Sequence, residues 1–215
     1  MLKDIFGTGK SGGLIHNALE EICRMLEQEE IMFRVACDAL LSGQEPEMDV
    51  VEKDKDINVG ERMVRRLVIE HLTVNPEQDL PASLTLIGIV HDVERIGDYT
   101  KGLIEFSKFH SPGFAEGKYA QMWSEIREKV EPILTQTREA FRESDAEIAR
   151  EVMRRHREVK AQTDALMETA MQDPDAGRDA ILYTVGTRNL RRISAHLSNI
   201  ASGIANPFDL LGRND

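Results

Sequence analysis

A chain of 215 residues suffices for one large domain or two of about 100 residues. Its 41% hydrophobic and 30% charged residues exclude a disordered tail, and 15 Gly with 7 Pro exclude collagen-like or linker-dominated sequence. With 38 acidic against 27 basic residues the formal charge is -11, the wrong sign for binding phosphate backbones or anionic lipid, so a basic or cationic partner fits better.

The lead-in Gly7-Thr8-Gly9-Lys10-Ser11 lacks the earlier glycine and the preceding strand of a phosphate-binding loop, and reads as flexible. A helical stripe then runs through Ile15, Leu19, Ile22, Leu26, Phe33, Ala36 and Leu40 to Ser42-Gly43, a natural left-handed stop. After a 44–48 linker, Ile57, Val64, Val68 and Leu72 mark a second helix that ends before Asn75-Pro76. The third opens at Asp79 with Pro81 in its first turn, where a missing N–H costs little, and continues through Leu86, Val90, Val93, Ile96, Thr100 and Leu103. Ser111-Pro112-Gly113 breaks the chain.

The same three-part layout returns beyond that break. A fourth stripe holds Met122, Ile126, Ile133, Thr137 and Phe141, with a kink expected at Pro132. Ser144 to Glu147 reads as a capping box for a fifth helix carrying Ile148, Val152, Val159 and Leu166. Asp173-Pro174 reads as the cap and first position of a sixth, through Ile181, Val185, Leu190, Ile193, Leu197, Ile200 and Ile204. Val93-Glu94-Arg95-Ile96-Gly97-Asp98 aligns with Leu190-Arg191-Arg192-Ile193-Ser194-Ala195, keeping the apolar frame and losing the acids. The expected fold is all-α: two antiparallel three-helix bundles in tandem, residues 1–112 and 113–215, because short loops force neighbouring helices to be antiparallel.

Asp49, Glu52, Asp54 and Asp56 crowd the start of the second helix, with Glu61 one to two turns on. Their plain explanation is the helix dipole, with Lys53 and Lys55 diluting the repulsion. Glu94 and Asp98 differ, since they stand four apart in mid-helix, where like charges repel by about 0.2–0.5 kcal/mol. His91 extends them into a column of oxygen and imidazole donors, and Gly88, Gly97 and Gly102 suggest a close approach of backbone or ligand. Antiparallel packing brings the Asp54, Asn58 and Glu61 face opposite this column. Oxygen-rich donors favour Mg, Ca or Mn, with Fe suited if His91 joins.

Other chemistries lack their residues. No Glu has a His three positions later, as carboxylate-bridged di-iron sites need, and the remaining histidines show no zinc spacing. At 5%, aromatic residues are too few for nucleic-acid stacking platforms. Cys23 and Cys37 sit within apolar pattern, suggesting burial in a reducing compartment rather than a disulfide. The longest apolar stretch, near 84–90, is far short of the ~20 residues that span a bilayer, and the first residues lack a signal-peptide core, so a cytoplasmic setting is expected.

Asp92-Val93-Glu94-Arg95-Ile96-Gly97-Asp98-Tyr99 closely resembles the signature helix of the PhoU family of phosphate-transport regulators. Asp54-Lys55-Asp56-Ile57-Asn58 is similar to that family's acidic motif on the second helix, and Asp79-Leu80 stands at the family's distance before the signature. The resemblance implies a non-enzymatic cytoplasmic adaptor, predicted to be a homodimer. It would restrain a phosphate ABC transporter through its ATPase subunit and couple its state to a membrane sensor histidine kinase, without contacting nucleic acid or inserting into the membrane. It also implies one metal site (Fe, Mn, Mg or Zn) in the first repeat, with Asp54, Asn58, Glu94 and Asp98 as ligands and Asp79 as a weaker addition; His91, Asp56 and Glu61 rest on helical geometry.

The chain departs from the family pattern at Pro81, where an Arg is usual, and in the sixth helix, where Arg188, Arg191 and Arg192 replace acids and offer a solvated face or a docking patch. The tail Asn206-Pro207-Phe208-Asp209-Leu210-Leu211 offers a partner contact or a cap on the bundle. Competing readings are a metal-dependent helical hydrolase or oxidase using the Glu94/Asp98 face, an accessory regulator of a different secondary transporter, and simply solvated acids.

Overall fold

The computed structural model describes residues 13–75 and 80–206, so the glycine-rich lead-in, Asp79 and the apolar tail beyond Asn206 lie outside it. Six long helices account for almost all of these residues: α1 (Leu14–Ser42), α2 (Val50–Val74), α3 (Leu80–Ser107), α4 (Lys118–Glu143), α5 (Ala146–Gln172) and α6 (Arg178–Ala205), with one 3-10 turn at Phe114–Glu116. Among the described residues there is no strand, and the fold is the expected pair of three-helix bundles.

Each helix forms where its apolar stripe and its ends agree. Gly43 takes the left-handed conformation (φ 67°) that stops α1, its N–H bonding the Ala39 carbonyl. The Asp49 side chain accepts from the Glu52 N–H and opens α2, which explains part of the acidic cluster as capping. α4 runs unbroken through Pro132.

Two end signals are displaced from the sequence reading. Ser144 ends α4 in the left-handed region (φ 50°), and Asp145 caps α5 instead, accepting from the Glu147 and Ile148 N–H groups. Asp173 closes α5 rather than opening α6, whose first residue is Arg178. Its carboxylate is drawn back onto the start of α4 by Tyr119 Oη at 2.5 Å and Lys118 Nζ at 2.6 Å, so a tertiary tie outcompetes the local cap.

The bundles meet along two helix pairs, α1 with α4 and α3 with α6. The core is continuous through both, with Phe33, Leu40, Trp123, Phe141 and Tyr183 fully buried. Glu30, buried at the first pair, accepts from Arg34 (2.9 Å), Thr135 (2.7 Å) and Arg138 (3.3 Å). A buried carboxylate surrounded by donors in this way fixes the register of two bundles that are otherwise joined by apolar contact.

Candidate metal centre

The α2–α3 face collects carboxylates because both helices present their acids beside the stripe that packs them together. Glu61 from α2 and Glu94 from α3 are mostly buried, and His91, one turn before Glu94, reaches over them. His91 Nδ1 lies 3.6 Å from Glu61 Oε1 and 3.9 Å from Glu94 Oε2, and one donor atom from each of the three residues falls within 4.8 Å of the others. Glu94 Oε2 is buried without a hydrogen-bond partner, the state expected of a ligand. Burial raises the Glu94 carboxyl above its usual range, reinforced by Asp98 and Glu61 and opposed by Arg95 and His91.

The other candidate residues are placed differently. Asp98 accepts from Arg95 (2.9 Å) and from Lys101 (3.0 Å), which supplies the positive charge that its i, i+4 spacing to Glu94 demands. Asp54 is buried, with its Oδ2 2.6 Å from Lys101 Nζ. Asn58 turns its amide back to the Asp54 carbonyl at 2.9 Å and so positions that residue rather than facing His91. Asp56 is exposed and pairs with Lys53. Burial works against the Lys101 ammonium, yet its hydrogen bonds to Asp54 and Asp98 hold its pKa above the usual value.

One acid escaped the sequence reading. Glu29 of α1 is fully buried beneath this face, and burial, then Asp54, Asp98 and Glu94, push its carboxyl well above the usual range. Its signal was an acid falling between Leu26 and Phe33 on the apolar stripe.

The three glycines of α3 separate by role. A Cβ on Gly97 would stand 2.7 Å from Glu29 Oε1 and 2.9 Å from Asp54 Oδ1, and one on Gly102 would stand 2.6 Å from Asn189 Nδ2, while Gly88 has nothing within 4 Å.

The second bundle replaces this chemistry. Ser194 takes the place of Gly97, and against it lies His156, with Nδ1 2.5 Å from the serine hydroxyl, where the first bundle has Asp54. Arg191 stands at the Glu94 position and pairs with Asp164. Burial lowers the His156 pKa to about 4, helped by Arg191, Lys160 and Arg157, so the ring is neutral at pH 7. Neutral imidazole and arginine stand in place of paired carboxylates, so among the described residues this second face has no equivalent cation site.

Donors of mixed oxygen and imidazole type, one of them a buried oxygen without a hydrogen bond, fit a divalent metal such as Mn, Fe or Zn at Glu61, His91 and Glu94.

The family profile described as PhoU domain matches this chain twice, over residues 22–106 and 124–204. The crystal structure of PhoU from Pseudomonas aeruginosa superposes with a TM-score of 0.73 at 22% identity, over 89% of this chain and 95% of that one. That of the phosphate transport system regulatory protein PhoU from Streptococcus pneumoniae gives 0.78 at 17% identity, over 94% and 96%. No curated protein matches the sequence. With one profile match in each bundle and both structures sharing its helical fold, the chain belongs to the PhoU family of phosphate-transport regulators.

Proposed function

We propose that this protein is a cytoplasmic adaptor that restrains phosphate uptake by protein–protein contact, engaging the ATPase subunit of a phosphate ABC transporter and a membrane sensor histidine kinase. The observation that carries the reading is the pair of PhoU-domain matches, one in each bundle. No helix among the described residues is long and apolar enough to cross a membrane, which accords with a regulator that docks onto membrane proteins. The α2–α3 face of the first bundle is the working surface in this reading, with Glu61, His91 and Glu94 holding a divalent metal and Asp98 beside them. A bound metal supplies fixed positive charge there, which neutralises the face and orders it for docking. The protein acts as a homodimer and catalyses no reaction.

Affinity capture from the membrane fraction, in cells grown at high and at low phosphate, tests the proposal. Recovery of the transporter ATPase or the kinase, with a ratio that depends on phosphate, is the expected result. Recovery of a sodium-coupled or other secondary permease instead would reassign the transporter, and recovery of no transport or kinase subunit in either condition would overturn the reading.

A further inference from the structure

Glu29 has no physical reason to be ionised where it stands. Its side chain is fully buried, and neither oxygen has a hydrogen-bond partner among the described residues. An isolated carboxylate held out of water is strongly disfavoured, so a group in that state is either neutralised or compensated. Asp54, 4% exposed, faces it with the same deficiency, because Oδ2 takes Lys101 while Oδ1 is buried and unpartnered. Glu29 Oε1 and Asp54 Oδ1 converge on one spot, the position of the side chain that Gly97 does not have.

The charges around that spot do not balance. Four carboxylates (Glu29, Asp54, Glu94 and Asp98) share two cations, with Lys101 serving Asp54 and Asp98 and Arg95 serving Asp98 and Glu94. With all four ionised the deficit is two negative charges, and the two oxygens left without a hydrogen-bond partner at the Gly97 gap belong to Glu29 and Asp54.

We propose that Glu29 and Asp54 hold a divalent cation inside the first bundle, between α1, α2 and α3, at a site separate from the outer Glu61, His91 and Glu94 cluster. This deepens the metal-binding reading of the same face by adding a ligand from α1. An all-oxygen pair of carboxylates suits a hard ion such as Mg or Mn, which keeps water for its remaining positions. The Lys101 ammonium stays on Asp54 Oδ2 and leaves Oδ1 to the ion. Because the two ligands come from α1 and α2, this cation would tie those helices together beneath Gly97 of α3 as the bundle closes.

Equilibrium dialysis of the chelator-treated full chain against Mn2+, with metal counted by mass spectrometry, tests the proposal. The expected stoichiometry is two equivalents in the wild type and one in Glu29→Gln, with His91→Ala losing the other equivalent and keeping the interior one. Gly97→Ala guards against misfolding of the glutamine variant, since its methyl would fill the gap and should also cost one equivalent, with circular dichroism confirming helix content. Wild-type stoichiometry in both Glu29→Gln and Gly97→Ala would overturn the interior site. A single wild-type equivalent lost only in His91→Ala would overturn it while leaving the outer centre standing. An infrared band of a protonated carboxylic acid that persists in the Mn2+-saturated wild type and vanishes in Glu29→Gln would overturn it too, by showing that a proton does the cation's work.

Discussion

Asp92 on α3 and His196 on α6, 104 positions apart in sequence, meet at 2.7 Å across the seam between the two bundles. Asn199 donates to the same carboxylate oxygen at 3.0 Å, and Tyr99 stacks on the imidazole with ring centroids 5.6 Å apart. Arg192 completes the assembly, lying 5.3 Å over the Tyr99 ring and donating to its hydroxyl. Asp92 thus gathers two side chains of α6, His196 and Asn199, on one carboxylate oxygen. Asp92→Ala should cost about 1–3 kcal/mol, the penalty for partly buried donors left without an acceptor. Urea unfolding would measure it, and combining Asp92→Ala with His196→Leu should cost less than the sum of the two single changes.

Gly186 and Gly88 make opposite predictions for the same substitution. A Cβ on Gly186 would stand 2.8 Å from Leu40 Cδ2 and 2.9 Å from Trp123 Nε1, and the indole is fully buried between α4 and α6 with no slack to give. Gly186→Ala should therefore destabilise the protein by about 1–3 kcal/mol through overpacking. Gly88 is exposed on α3 with nothing near it, so Gly88→Ala should stabilise by up to about 1 kcal/mol through helix propensity. Opposite shifts in thermal midpoint would check the pair. A destabilised Gly88→Ala would mean that this exposed face of α3 is packed in solution, as by a second copy of the chain.

How much of this could be read from the chain alone depends on how far apart the cooperating residues lie. Helix periodicity and the Gly43 stop are local properties, and they placed all six helices. The charge conflict between Glu94 and Asp98 was also local, whereas Lys101, which joins Arg95 against Asp98 and ties it to Asp54 of α2, gains its meaning only in the packed bundle. Asp173 was misread because its decisive partners, Lys118 and Tyr119, lie more than fifty positions upstream and outweigh its local capping role. Ser144 and Asp145 are neighbours with equal claims to cap α5, and only the left-handed turn at Ser144 decides between them. Glu29 is invisible to a search for acidic faces, since it belongs to an apolar one; its meaning appears once Asp54 and Gly97 are seen above it.

His156 sets a limit on acid stability. Its ring is buried, and its pKa falls from the ordinary 6.5 to about 4, so below neutral pH the unfolded chain binds a proton that the folded chain refuses. Stability is fully present above the unfolded value and is lost as the pH falls from about 6.5 through about 4. His156→Gln can still accept the Ser194 hydroxyl but cannot titrate, so its urea midpoint should vary less than the wild type's across that window. An unchanged slope would assign the acid sensitivity to groups other than His156.

The outer centre makes its own prediction through His91, because it is exposed and contributes nothing to the core, so that removing it tests ligation without disturbing the fold. Of the three donors it is the only nitrogen, and imidazole is what draws Zn, Fe or Mn in preference to Mg or Ca. His91→Ala should leave the thermal midpoint of the metal-free protein unchanged. Its Zn2+ affinity should fall by more than the 10–100-fold that loss of an outer-shell partner costs, since a direct ligand is removed. Preference should shift toward Mg2+ at the two remaining carboxylates, Glu61 and Glu94. Isothermal titration of the chelator-treated protein with each ion would measure both effects. Equal Zn2+ affinity in wild type and His91→Ala would show that the imidazole is a bystander and that any metal on this face is held by carboxylates alone.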